Sequence, residues 1–379
     1  MGTKFRLGVI LAVIASMFSA VIVASADDHD TNDNDYNAHY EIASDEFYNV
    51  WKRTDLPVAE GKVHRTWMWG PGAISGLMEE QYAEGEDGTR MVQYFDKSRM
   101  EMPVGDADDY DKKSAWHITQ GRLAYELMSG RIQIGDNEFI DNGPSHRSAA
   151  GDINDTTAPT YAVLGQHMDT AARDTGGVIT QSMDRDGNIT DDYDYKHYGI
   201  TDYKYDAVTN NNIASVFWKF MNSTGLVYDH GHHKAHSGHL FENPYYAVGR
   251  PLTEAYWARV AVDGVEQNVL IQAFERRVLT YTPDNPKGWE VESGNIGQHY
   301  HHWRYVVKAD DTDDGVVDDT DDGIVDDTDD GIVDDDDDGI VDDDDDIDDG
   351  LDDDDFDDNG VDDNGIDDND DEDDADDSD

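Results

Sequence analysis

The chain contains no cysteine in 379 residues. Disulfide staples and thiol chemistry are therefore excluded, and the fold must be held by its apolar core, by bound metal, or by both. Basic side chains are scarce. There are 27 Lys and Arg against 87 Asp and Glu, a formal charge of −60. That balance argues against nucleic acid and against an anionic membrane surface as partners, since phosphate binding needs clustered Lys and Arg. Cations are the expected partners. Catalytic signatures are missing too: no G-x-S-x-G elbow, no HExxH pair and no glycine loop of the phosphate-binding kind occur.

What is present begins with the ends. Lys4 and Arg6 precede an apolar run, Leu7 to Val23, followed by Ala24-Ser25-Ala26 and the polar Asp27-Asp28-His29-Asp30. This is the pattern of an export signal with an A-x-A cleavage site, and it predicts a signal peptide over 1–26. The alternative is an uncleaved anchor, because the run is nearly long enough to span a bilayer. Either way the protein is expected outside the cytoplasm, extracellular or at the cell surface. Residues 27–42 read as a polar linker. Residues 43–307 hold all eight tryptophans, enough for a sizeable core. Residues 308–379 form an Asp-rich tail. From Asp310 onward it carries 42 acidic side chains and no basic one, leaving −18 for the rest of the chain.

Within 43–307 the sequence half-repeats itself. MVQYFDKSRMEMP (91–103) matches VLIQAFERRVLTYTP (269–283), with Gln93 on Gln272, Phe95 on Phe274 and Lys97 on Arg276. YELMSGRI (125–132) matches WEVESGNI (289–296), EEQYAE (79–84) matches TEAYWA (253–258), and Asn49-Val-Trp-Lys52 matches Val216-Phe-Trp-Lys219. The common order predicts an internal duplication. The first copy would be 43–135 and the second 213–307, separated by a loop-rich insert over 136–212. Ser44 is a candidate helix cap ahead of Phe47, Val50 and Trp51 at helical spacing. Asp87-Gly88 and Asp263-Gly264 are hairpin-turn signals. The expected fold class is α+β, rich in antiparallel sheet.

The motifs FxxVWxRTDxPV from Phe47, RTWMWGP (65–71), VQYFDKSRMEM (92–102), AGDINDTTAPTYA (150–162), FERRVLTYTPDNP (274–286) and GNIGQHYHHWRY (294–305) resemble a family of exported bacterial proteins of unknown function. That resemblance covers about 43–305 and implies no activity. A fainter likeness, in GRPLTEAYW and its continuation, is to LGFP-type cell-wall repeats. The tail is similar to thrombospondin type 3 and RTX-like calcium repeats, but its period is eight and it lacks the cysteines of many type 3 repeats.

The tail's repeat carries the clearest chemistry. DDTDDGVV, DDTDDGIV, DDTDDGIV and DDDDDGIV place Gly315, Gly323, Gly331 and Gly339 eight residues apart. Calcium is a hard cation that takes six to eight oxygen ligands. Asp310, Thr312 and Asp314 fit positions one, three and five of a calcium loop, and glycine fits the turn. Asp318 closes this loop and opens the next, with Thr320 and Asp322. Asp326, Thr328 and Asp330 repeat the set, then Asp334, Asp336 and Asp338, with Asp342 as the last shared ligand. The Ile/Val pairs offer a stripe on which turns could stack. The tail is thus either a calcium-dependent solenoid or a disordered acidic polyelectrolyte. Its expected calcium affinity is weak, on the order of 10⁻⁴–10⁻³ M.

Four further candidates are weaker. Asp184 to Asp192 has alternating acids and a glycine, and reads as a second calcium loop or, better, a hairpin turn. His230, His232, His233, His236 and His239 read as a surface loop rather than a zinc site. Trp67, Trp69, Tyr245, Tyr246 and Trp257 read as core rather than as a sugar-stacking platform. His299, His301 and His302 read as packing or hydrogen-bonding residues. The function expected is that of a secreted or cell-surface, non-enzymatic binding or structural protein that binds calcium through its tail, with cell-wall glycan or extracellular matrix as a further partner. The alternatives are an exported hydrolase acting on glycan or peptidoglycan, and a mineral- or surface-adhesion protein.

Overall fold

The computed structural model describes residues 39–102, 116–152, 155–229 and 234–306. The signal segment, most of the polar linker and the acidic tail lie outside the described residues.

Helix α1 (Asp45–Thr54) starts as expected: the Ser44 hydroxyl accepts from the Phe47 N–H at 3.1 Å. Asp45 and Glu46 lie at its positive end and Lys52 and Arg53 at its negative end, each favoured by the helix dipole. Phe47 and Trp51 are buried one turn apart, and the Trp51 indole donates to the Gly70 carbonyl at 2.9 Å. The helix gives way at Asp55 to the short α2 (Leu56–Ala59), with Pro57 in its first turn.

Two sheets carry the body. The first is antiparallel, in the order β1 (Met78–Gln81), β2 (Thr89–Phe95), β3 (Ser98–Glu101), β4 (Thr119–Gln120). Helix α3 (Leu123–Ser129) follows it, ending at Gly130 with φ 72°. Between the sheets in sequence come hairpin β5 (Arg131–Gln133) and β6 (Phe139–Asp141), helix α4 (Tyr161–Gly165), hairpin β7 (Gln181–Met183) and β8 (Ile189–Asp191), a 3-10 helix over Tyr193–Tyr198, and hairpin β9 (Asp202–Asp206) and β10 (Asn211–Ala214). Helix α5 (Ser215–Met221) and hairpin β11 (Thr224–Val227) and β12 (His236–His239) follow. The second sheet is built on β13 (Tyr256–Val262), β14 (Val265–Ala273), β15 (Val278–Tyr281) and β16 (Val291–Ser293). Strand β7 pairs with β13 in parallel, so this sheet is mixed, in the order β16-β15-β14-β13-β7-β8. Helix α6 (Ile296–Tyr305) closes the described fold. No helix among the described residues is long and apolar enough to cross a membrane.

The turn signals work as glycine chemistry requires. Asp263 and Gly264 have φ of 51° and 71°, the left-handed pair of a two-residue hairpin between Val262 and Val265. The Asp152 carboxylate fixes this turn by accepting from both of its N–H groups, at 2.9 and 2.8 Å. Asp87 and Gly88 also have positive φ, at the end of a longer connection into β2.

Two glutamines, one in each main sheet, make similar sets of bonds. The Gln93 Oε1 accepts from Ala43 N just before α1, and its Nε2 donates to the Glu41 and Ser75 carbonyls. The Gln272 Oε1 accepts from Ala214 N just before α5, and its Nε2 donates to the Asn212 and Thr253 carbonyls. The Ser75 hydroxyl accepts from Tyr94 N, and the Thr253 hydroxyl from Ala273 N. Lys97 N donates to Trp69 O and Arg276 N to Val248 O, both at 3.0 Å. Phe95 and Phe274 are fully buried and bridge Ala73 and Pro251 respectively.

Each closing helix starts on the opposite half. Gly297 N, in the first turn of α6, donates to Asp96 O at 2.8 Å, at the β2–β3 corner. Tyr125 N, in α3, donates to Glu275 O at 3.1 Å, at the β14–β15 corner. Lys97 Nζ reaches Ser293 O, and Arg276 Nε reaches Gln120 O. Helix α6 buries Ile296, Tyr300 and Trp303, one helical stripe, and packs on β2 and β3.

Three sequence matches are corrected. Residues 125–129 are helical whereas 291–293 are a strand, so YELMSGRI and WEVESGNI are not equivalent. Met78 pairs with Val92 and Tyr256 with Ile271, which moves the partner of β1 four residues along from the matched TEAYWA register. Three residues beyond the caps of α1 and α5 lie Phe47 and Phe217, both buried, and seven beyond lie Trp51 and Met221; Trp218 is only half-buried and is not the counterpart of Trp51.

Candidate functional site

A cleft of about 660 Å³ opens where β7 and β8 extend the second sheet. The sheet contributes Ser182, Thr190, Arg259, Glu266 and Asn268. The opposite side is the 3-10 helix over Tyr193–Tyr198. Asp192 caps that helix by accepting from Asp194 N at 3.0 Å. Tyr195 and Tyr198 seat it by stacking on the buried Trp257, with ring centroids 4.8 and 4.7 Å away. The Trp257 indole itself donates to Ile179 O at 3.0 Å.

The polar groups facing this cleft are tied to one another. Arg259 Nε donates to the Glu266 carboxylate, and Arg259 Nη1 to Asn268 Oδ1 at 2.8 Å. The Tyr195 hydroxyl donates to the same Oδ1 at 3.4 Å. Burial raises the Tyr195 pKa, so it stays a neutral donor. The Ser182 and Thr190 hydroxyls share a bond of 3.0 Å across the hairpin. Arg185, also in the lining, donates from its Nη1 to the Asp155 and Ala158 carbonyls at 3.0 and 2.8 Å.

Asp184 begins the β7–β8 turn. Its carboxylate accepts from Asn188 Nδ2, Asn188 N and Asp186 N at 2.9, 2.9 and 3.0 Å. Those bonds, the Asn188 side chain first, hold its pKa below the usual carboxylate range. The 184–192 segment is therefore a hairpin whose leading carboxylate is spent on its own backbone. Among the described residues no three His, Asp or Glu side chains converge on a metal position.

A second concentration of charge is closed to solvent. Glu80 sits under α6 and is contacted by Arg304 at 2.8 Å, Arg99 at 3.2 Å, and the Tyr94 and Tyr305 hydroxyls at 2.5 and 2.8 Å. Arg99, 1 % exposed, also meets Glu101 at 2.7 Å and Glu126 at 3.2 Å. Burial by itself would raise the Glu80 pKa, but Arg99 and Arg304, with Tyr94 and Arg90, outweigh it and set the value at about 2. With its carboxylates paired to arginines and Glu80, Arg99 and Glu126 almost wholly buried, this cluster is a structural clamp. Asp55 behaves oppositely. Its carboxylate accepts from Met68, Trp69 and Gly70 N–H at 2.9, 2.7 and 3.1 Å, yet complete burial pushes its pKa up to about 6.

The predicted calcium ligands Asp310, Thr312, Asp314, Asp318, Thr320, Asp322, Asp326, Thr328, Asp330, Asp334, Asp336, Asp338 and Asp342 lie outside the described residues. So do His230, His232 and His233. His236 and His239 stand exposed on strand β12, not on one face of a helix. Trp69, Tyr246 and Trp257 are core, while Trp67 and Tyr245 are half-buried against it. His299 lies on α6 and pairs its Nδ1 with the Tyr161 hydroxyl at 2.9 Å. The cleft and the Glu80 cluster were both missed from sequence. The available signal for the cluster was charge on the facing strands: Glu80 is the direct cross-strand partner of Arg90. Comparison with protein-family models, with curated proteins and with solved structures found no match to this chain.

Proposed function

We propose that this is a secreted or cell-surface, non-enzymatic binding or structural protein whose Asp-rich tail binds calcium. The observation that carries the reading is the strict eight-residue glycine spacing at 315, 323, 331 and 339, with carboxylates at alternate positions before each glycine. A tail that served only solubility needs no fixed spacing. Calcium sites need it, because the turn brings successive oxygens onto one ion. The globular body is read as two diverged copies of one β-rich module. The paired bonding of Gln93 and Gln272, at matching places in both sheets, supports this.

Calorimetric calcium titration and small-angle scattering of the whole chain test the tail. Compaction is expected at millimolar calcium, with a site-type heat. Gly323→Val with Gly331→Val keeps the net charge and obstructs two turns. Equal compaction of that variant would leave only polyelectrolyte behaviour and overturn the site reading.

The rival, an exported glycan or peptidoglycan hydrolase, needs two carboxylates at a set separation across a cleft. Asp184 is occupied by its turn and Glu266 by Arg259, which favours binding over hydrolysis at this position. Adhesion to a calcium-bearing mineral face is a separate alternative that would use the same aspartates.

A further inference from the structure

We propose that the cleft between β7–β8 and the Tyr193–Tyr198 helix is a binding site for a neutral saccharide. The first argument is asymmetry between the sheets. Strand β1 is the edge of the first sheet, whereas its positional counterpart β13 is extended by β7 and β8. The extension and the 3-10 helix come from the segment between the two similarly bonded halves. They create a walled cleft beside the second sheet, within the ~300–1,000 Å³ of ligand sites.

Charge then narrows the ligand. Asp184, Asp192, Asp194 and Glu266 line the cleft, against Arg185 and Arg259. Arg185 spends its Nη1 on backbone carbonyls, Arg259 spends its Nε and Nη1 on Glu266 and Asn268, and the carboxylates still outnumber the guanidiniums. Phosphates, sulfates and uronates would meet uncompensated carboxylates. A lipid would find no continuous hydrophobic wall, since the only wholly apolar side chains in the lining are Met183 and Ala258, both nearly buried, beside the Tyr195 ring. A cation held by carboxylates alone would need them to converge, and among the described residues no such group forms.

What the cleft offers is a mixture of hydroxyl, amide, guanidinium and carboxylate groups. Sugar hydroxyls each donate and accept, and so can use both kinds of partner. Asn268 is the centre of the argument. Its Oδ1 takes Arg259 and Tyr195, and no described group takes its Nδ2 protons. Those two donors are thus held in place by a side chain that is itself stacked on Trp257. Asp194, across the cleft, supplies acceptors. Pre-positioned polar groups of this sort lower the ordering cost of binding.

The test is calorimetry on the full chain in excess EDTA, which removes any contribution from calcium on the tail. Cello-oligosaccharides, manno-oligosaccharides and N-acetylglucosamine oligomers are the probes, with oligogalacturonate as the anionic control. At least one neutral probe is expected to bind at millimolar or lower concentration, and oligogalacturonate is not. Asn268→Ala and, separately, Asp194→Ala should each weaken binding at least tenfold with an unchanged thermal transition. Asp194 is exposed, so its variant keeps the test valid if Asn268→Ala fails to fold. Absence of neutral-probe binding, equal binding of oligogalacturonate, or binding that survives Asp194→Ala would overturn the proposal. Because calcium is absent throughout, each of these outcomes leaves the reading of the tail untouched.

Discussion

Replacing Glu80 with Gln probes how much of the body is held by charge. Glu80 is 3 % exposed and meets three arginines and two tyrosine hydroxyls. Its pKa falls from 4.5 to about 2 on folding. A depressed folded-state pKa means that the stabilisation is fully present above pH 4.5 and is lost as pH drops toward 2. The shift corresponds to ~3 kcal/mol at neutral pH. Gln keeps the shape and removes the charge, leaving Arg99 and Arg304 short of a counter-ion, so the expected cost at pH 7 is ~3–5 kcal/mol. Urea unfolding of parent and variant, repeated from neutral to acid pH, measures both quantities. The gap between them should shrink by ~3 kcal/mol as the parent's own Glu80 is protonated. A gap that stays constant from pH 7 to about 2.5 would refute the charge argument and reduce Glu80 to a packing residue.

Asp55 should show the opposite slope: its pKa is raised from 3.8 to about 6, so ionisation costs ~3 kcal/mol above that range and the cost disappears as pH falls through it. Asp55→Asn should remove this pH dependence between about 4 and 6, seen in urea midpoints, while losing ~1–3 kcal/mol because an amide has one acceptor oxygen for three N–H groups. Gln93→Leu and Gln272→Leu should each cost on the order of 3 kcal/mol, and by similar amounts, because each leaves three backbone groups unpaired at matching places; a large difference in unfolding free energy would argue against their equivalence. Gly297→Ala should destabilise by ~3 kcal/mol in the same assay, since the added methyl would run into the Phe95 carbonyl and lift α6 from the β2–β3 corner.

Local chemistry was legible in the sequence and distant chemistry was not. Ser44 announced α1, and Asp263-Gly264 announced its hairpin, because a cap and a left-handed turn are decided within four residues. Gln93 and Gln272 drew attention in the sequence because each lies two residues before a phenylalanine, and both phenylalanines are buried. The match between 125–132 and 289–296 failed because Ser-Gly ends a helix in one place and a strand in the other. Gly130 is a left-handed helix cap, whereas Gly294 follows β16 with no such conformation. The Glu80 cluster joins positions 80, 99, 126 and 304, a set that exists only once α6 has crossed over. The cleft depends in the same way on the single parallel pairing of Trp257 with Ser182.

The crossing of α6 also dictates an order of completion. Phe95 and Gly297 meet at the β2–β3 corner, yet one leaves the ribosome far ahead of the other. Until Arg304 arrives, Glu80 is a carboxylate without one of its nearest cations, and Tyr94 lacks the ring of Tyr300 that stacks on it. The contacts of the first sheet are therefore complete only when the last helix is in place, so a chain cut short before α6 would lack Arg304 and the Tyr300 ring and should be less stable than the full body.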